Sequence, residues 1–211
     1  MRPITFTYSQ AAADVDSIVS VQELNASGAI TLDGSAVVSG VADFISSPAY
    51  VTIFNEESAT VDFVVVGTRP GGTTAQTETI SFTASGTVTG TIAFATVTGV
   101  SASAPTSATI SIGNADIGYT DWIPLDIYTP NQVTNISAKV SGTVNYSVEY
   151  TNEDPFDRAI VHLAEPHPAA SLTAASGDET HFTTTLMRAV RLKVNSGDGS
   201  VRFTIVQQST Q

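Results

Sequence analysis

A chain of 211 residues without cysteine has no disulfides, no thiolate metal sites and no cysteine nucleophile. Only 13% of its residues are charged, against ~25% in an ordinary soluble domain. Eight Lys and Arg stand against twenty Asp and Glu, a net charge of −12, which argues against a nucleic-acid backbone or an anionic membrane as partner, since both need clustered bases.

In chain order, period two dominates. Ile4, Phe6 and Tyr8 alternate with Thr5 and Thr7. No apolar leader segment or membrane-length apolar run follows them, so a soluble protein made in a cytoplasm is expected. Ala11 to Leu24 reads as a short helix through Val15, Ile18 and Val19, or as a strand through Val19 and Val21. Ile30-Thr31-Leu32 followed by Asp33-Gly34 predicts a hairpin turn. Val61, Phe63 and Val65, then Ile80 and Phe82, then Ile92, Phe94 and Val97, then Ile110 and Ile112 mark further strands, spaced by turn residues. Strands of this length and spacing predict sandwiches or barrels.

The composition changes at Gly113–Thr120. Before it the only bases are Arg2 and Arg69; after it come the sole Trp (Trp122), all three His and both Lys. The expectation is an all-β protein of two antiparallel β-sandwich domains, Ig-like or jelly-roll-like, over residues 1–116 and 117–211. In the second, Tyr119 to Leu125 reads as an entry strand. Val144, Tyr146, Val148 and Tyr150 alternate with Asn145, Ser147 and Glu149. The stretch Glu153–Glu179, with Pro155, Pro166 and Pro168, reads as a long irregular loop, mobile until it packs on a partner. Thr183 to Met187 offers one helical turn. Val190, Leu192 and Val194, a turn at Asn195–Ser200, and Val201, Phe203 and Ile205 predict a closing hairpin.

No catalytic motif stands out. His162 and His167 flank Glu165, but a structural zinc needs four converging ligands, and His162 in Ile160–Leu163 reads as a strand residue. The carboxylate pairs Asp14/Asp16, Glu56/Glu57, Glu153/Asp154 and Asp178/Glu179 lie in polar, turn-like contexts and read as solvated surface. No serine sits in Gly-x-Ser-x-Gly. Arg69-Pro70-Gly71-Gly72 lacks the Lys-Ser/Thr ending of a phosphate loop. The expectation is no catalysis, no metal and no cofactor.

One charged feature remains. Arg188, Arg191, Lys193 and Arg202 are half of the chain's bases. Alternation puts Arg191, Lys193 and Arg202 opposite the apolar set, on one exposed face, as a docking patch for an acidic neighbour. The competing reading is a solubilising face that discourages edge pairing.

The order of the N-terminal segments carries a resemblance. Ala29–Ser35 is followed by Gly40–Phe44, Tyr50–Ile53, Val61–Thr68, Ala75–Ile80, Gly86-Thr87 and Ala93–Val100. Over residues 25–112 this order resembles a family of small virion structural proteins of tailed bacteriophages, and Val190–Val206 is similar to a closing hairpin common among phage proteins. Arg69–Thr74 departs from the Asp/Asn-Gly turn of that family. The resemblance implies a virion location, no catalysis, and the major capsid protein or other virion proteins as partners. The leading expectation is a head decoration or cement protein, a homo-oligomer. The alternatives are a tail, neck or spike-base component with a receptor-binding role, and a secreted carbohydrate-binding sandwich module.

Overall fold

The structure is a computed structural model; it describes residues 3–58, 60–71, 74–128, 132–157 and 162–209. Its regular structure is β throughout, apart from one 3-10 turn at Ala170–Leu172. β1 (Ile4–Ser9) opens the chain. Then come β2 (Asp14–Leu24), β3 (Gly28–Ile30), β4 (Val37–Val38), β5 (Val41–Asp43), β6 (Ala49–Asn55), β7 (Val61–Thr68), β8 (Ala75–Phe82), β9 (Gly86–Phe94), β10 (Thr96–Ala102) and β11 (Thr106–Asn114). The last are β12 (Gly118–Tyr119), β13 (Ile123–Pro124), β14 (Gln132–Ser141), β15 (Asn145–Thr151), β16 (Glu165–Pro166), β17 (Glu179–Thr183), β18 (Ala189–Ser196) and β19 (Ser200–Ser209).

The chain divides into two compact units. One is Ala11–Gly118; the other joins the segment ending at Gln10 to Tyr119–Gln211. The expected division at 1–116 therefore needs a correction at its start. β1 pairs with β19 from Ile4↔Ile205 to Ser9↔Ser200, so the first strand belongs with the last. Ala11–Gly118 is an insertion within the sequence of the terminal unit.

In Ala11–Gly118 one antiparallel sheet runs β4-β5-β10-β7-β8, with β3 also on β10, and a second runs β2-β11-β6-β9. Ile18, Ile53, Phe63, Val65, Phe82, Phe94, Ile110 and Ile112 are buried in one cluster. β2 settles the ambiguity over residues 11–24: it is a strand. Its register on β11 slips between the pairs Ile110↔Gln22 and Ile112↔Val19, and again before Asn114↔Asp14. These bulges turn Ser17, Ile18 and Val19 inward in succession, which breaks period two and imitates a helical stripe.

Asp33-Gly34 is not a hairpin turn. The Asp33 and Gly34 N–H groups donate to the Ile18 carbonyl at 3.2 and 3.1 Å, and Ala36 N–H donates to Ser17 O at 2.8 Å. This segment therefore covers the open edge of β2. The opposite edge of that sheet is closed by side chains. Gln76 Nε2 donates to Ala93 O at 2.5 Å, and Thr91 N–H donates to Glu78 Oε1 at 2.5 Å.

The terminal unit has sheets β1-β19-β14-β17 and β12-β18-β15-β16, with β13 also on β18. Tyr146, Val148, Leu172, Leu192, Val194, Val201, Phe203 and Ile205 share its core. The predicted closing hairpin is absent. β18 pairs with β15 and β19 with β14, in different sheets, so Asn195–Ser200 arches across the core instead of folding one strand onto the next. Ser141–Asn145 does the same between β14 and β15. The arches touch: Gly199 N–H donates to Thr143 O at 2.9 Å. The stretch after Glu153 also differs from a free loop. Ala175 and Tyr146 exchange main-chain bonds at 2.8 Å, and Leu172 is wholly buried. Thr183 ends β17 and no helical turn follows it.

Gly197 has φ +93°, and an added Cβ would meet Thr143 O and the Val144 Cα. Left-handed backbone costs a non-glycine residue roughly 1–2 kcal/mol before any overlap. Gly197→Ala is therefore expected to lower unfolding free energy by at least about 2 kcal/mol. Gly177→Ala, where nothing lies within 4 Å of the added carbon, is expected to change little. Chemical denaturation of the two variants checks this pair.

Candidate functional site

The four basic residues singled out by sequence do not share a face. Arg191 and Lys193 lie on the outer side of β18. Arg202 lies on the outer side of β19, in the other sheet. Alternation holds along each strand; a single shared face would need a hairpin that does not form.

Glu149 on β15 is the hub that sequence reasoning missed. Arg191 donates to its Oε2 from Nε at 2.7 Å and from Nη2 at 2.6 Å. Lys193 Nζ lies 3.5 Å from its Oε1. The Arg191 guanidinium also stacks over the Tyr119 ring at 3.8 Å and the Trp122 ring at 4.6 Å. Only 13% of the Arg191 side chain and 15% of the Glu149 side chain remain exposed. Charge-assisted bonds to both ends of a shielded pair are strong, so Arg191 acts as an internal clamp between the entry segment and β15. Glu149 was visible as a polar residue in an alternating strand. Its pairing with Arg191 is set by the β15–β18 register, which no local pattern carries. Arg188 is 3.5 Å from Asp154.

Arg202 differs from the other three. It is exposed, and among the described residues no acid lies within ion-pair distance. Its neighbours across the sheet are Thr7 and Lys139. Lys139 is held by Asp178 at 3.0 Å. The same carboxylate accepts the Val140 N–H at 2.8 Å, and these two bonds hold Asp178 below the usual carboxylate range, the backbone bond contributing most.

The next row on this face is made of hydroxyls. Thr5, Thr204, Ser137 and Thr180 lie in register across all four strands. Thr5 and Thr204 share a hydrogen bond of 3.1 Å, and Thr180 donates to Ser137 at 3.1 Å. A third row holds Val206, Asn135 and Phe182, with Phe182 largely exposed. The hydroxyl row is uncharged and cheap to desolvate, because its hydroxyls already bond to one another.

The paired carboxylates serve the chain. Glu56 accepts the Thr109 hydroxyl at 2.7 Å, Glu57 the Ser107 N–H at 2.5 Å, and Glu153 the Leu163 N–H at 2.6 Å. Asp14 accepts the Asp16 N–H and the Ser35 hydroxyl. Its backbone bond lowers the Asp14 pKa, while the Asp14 side chain raises that of Asp16. Asp14 and Asp16 thus differ in proton affinity, and Asp14 joins the strand to the segment that covers its edge. His162 is not in a strand; its Nε2 is 2.6 Å from Asp154 O and its ring lies edge-on to Trp122. Ile160 and Val161, part of the run read as a strand, lie outside the described residues. Among the described residues no three His, Asp or Glu side chains converge.

His167 is buried, its Nδ1 accepts the Ala169 N–H at 3.1 Å, and His181 lies 5.7 Å away ring to ring. Burial, with a smaller contribution from His181, pushes its pKa down to about 4. Its buried Nε2 has no hydrogen-bond partner among the described residues.

Neither a family model, nor a curated protein, nor a solved structure matches the chain.

The cations give one expectation. Arg191→Ala removes a shielded pair and two ring contacts and is expected to cost about 2–4 kcal/mol of stability. Arg202→Ala is expected to stay within about 0.5 kcal/mol. Thermal unfolding of both variants is the check. His167 gives another. The folded chain favours the neutral ring, whereas the unfolded chain binds a proton at a higher pH. Stability is therefore complete above ~6.5 and falls as the pH drops towards 4, by about 3 kcal/mol in all. His167→Gln is expected to flatten that limb of the stability profile, measured by denaturant unfolding at stepped pH.

Proposed function

We propose that this chain is a non-enzymatic structural protein of a tailed-bacteriophage virion, a head decoration or cement protein that binds capsid subunits through a β-sheet face. The observation that carries this reading is the outer face of β1-β19-β14-β17. It presents a hydroxyl row across four strands with Arg202 beside it, while the corresponding bases of β18 are bound to Glu149. A face of this kind loses little on desolvation, and an unspent cation at its margin orients an acidic partner. The fold reading that accompanies it is two β-sandwiches, each with its two sheets packed across one buried cluster. The order of segments over residues 25–112 supplies the phage affiliation.

The two units differ in charge. Residues 11–118 carry one Arg against ten Asp and Glu, so that unit repels further copies of itself and stays dispersed. The segments around it carry the remaining seven bases.

Quantitative mass spectrometry of purified particles tests the proposal. A decoration protein is expected at a copy number comparable to that of the major capsid protein. A copy number of a ring or less moves the protein to the neck or tail, and its absence from the particle overturns the virion reading. Arg202→Ala is expected to weaken incorporation while leaving the melting temperature unchanged.

A further inference from the structure

We infer that the edge of β1 is a self-association site, at which the Ile4–Thr7 stretch pairs antiparallel with the same stretch of a second copy. This goes beyond the virion proposal and does not depend on it. An edge strand displays unpaired N–H and C=O groups, and proteins protect such edges by shortening them, by adding Pro or charge, or by covering them.

Other edges carry these protections. That of β2 is covered by Asp33–Ala36, and that of β9 by Gln76 and Glu78; the edge strand β8 has Glu78 within it, and β3 is three residues long. β4, β12, β13 and β16 are two residues long, and Pro124 and Pro166 sit in two of them. β17 begins with Glu179 next to Asp178 and carries His181. β1 has none of these devices within its six residues, Ile-Thr-Phe-Thr-Tyr-Ser; Pro3 stands before its first residue and leaves the Ile4–Thr7 main chain open. β19 bonds one side of it, and among the described residues no main-chain bond reaches Ile4–Thr7 from the other side.

The side chains point to a second copy as the occupant. Ile4 and Phe6 face the core yet remain only half-buried at its margin. A strand added beside β1 would cover them. An antiparallel pair keeps like faces together only when the paired residue numbers sum to an even value, because a slip of one residue inverts every side chain. Within that constraint Ile4 and Phe6 meet their own counterparts on the core side, and Thr5 and Thr7 meet theirs on the outer side. The two-fold contact is therefore self-complementary. It would extend the Thr5–Thr204–Ser137–Thr180 row from one copy into the next. It also joins two chains of net charge −12 along a strand with no charge of its own, where their mutual repulsion is least.

The absence of cysteine permits a clean test on the full chain. Thr5→Cys, Thr7→Cys and the double variant are oxidised at low concentration, with Thr180→Cys on the opposite edge as control. Efficient disulfide-linked dimers are expected from at least one of the three β1 variants and not from the control. In parallel, sedimentation velocity compares the native chain with Thr5→Lys/Thr7→Lys, whose side chains point away from the core and leave the β19 pairing in place. The dissociation constant is expected to rise at least about tenfold, with an unchanged far-ultraviolet circular dichroism spectrum. If the lysine variant loses that spectrum, the cysteine series decides alone. A native chain that is monomeric at all concentrations, a dimer insensitive to the lysines in a folded variant, or cross-linking through Thr180→Cys would overturn the inference. None of these outcomes alters the particle copy number, so the virion proposal stands or falls separately.

Discussion

The terminal unit depends on one constraint: two chain segments must cross its core at the same place. β14 and β19 pair in one sheet, β15 and β18 in the other, so both connections must arch from sheet to sheet side by side. Thr143 O accepts from Gly199 N–H, and neither Gly197 nor Gly199 has room for a side chain against Thr143. That close approach fixes the spacing of the arches. It thereby aims Val190, Leu192 and Val194 at Val201, Phe203 and Ile205 from opposite sides of one core. Two sheets bridged in this way bury both apolar sets, whereas one flat hairpin would put both on the same side and leave them to find another cover.

The same crossing decides where the charges go. With β18 and β19 in different sheets, Arg191 and Lys193 meet Glu149, and Tyr119 and Trp122 close over Arg191. Arg202 is left on the opposite outer face among hydroxyls. A group of bases close in sequence thus becomes an internal clamp on one side and, with Arg202, an exposed cation on the other. In water the exposed cation contributes little to stability, while the shielded pair must be satisfied because a buried charge without its partner is costly.

Edge protection separates the two units. In Ala11–Gly118 the main chain and polar side chains seal the edges of β2 and β9 at the cost of an irregular strand and a buried Glu78 Oε2 with no partner among the described residues. In the terminal unit β1 is uncharged and pairs with β19 without a register shift. The two units carry ten acids each, but the inserted unit holds one base, Arg69, against the greater share of bases in the terminal unit.

Sequence alone determined the local layer of this protein. Alternation in Val61–Val66, Val144–Tyr150, Val190–Val194 and Val201–Ile205 gave strands and told which side chains face inward, because side-chain direction in a strand depends only on parity. Composition located the change within Gly113–Thr120. The tertiary structure alone decided which strands pair. Ile4 lies opposite Ile205, and Ile18 receives the Asp33 and Gly34 N–H groups in place of a hairpin partner. Backbone hydrogen bonding is the same for every residue but proline, so a strand's sequence states its faces and not its neighbour. The partner is selected by the simultaneous burial of all the apolar faces, and with it the fate of each charged side chain on the outside.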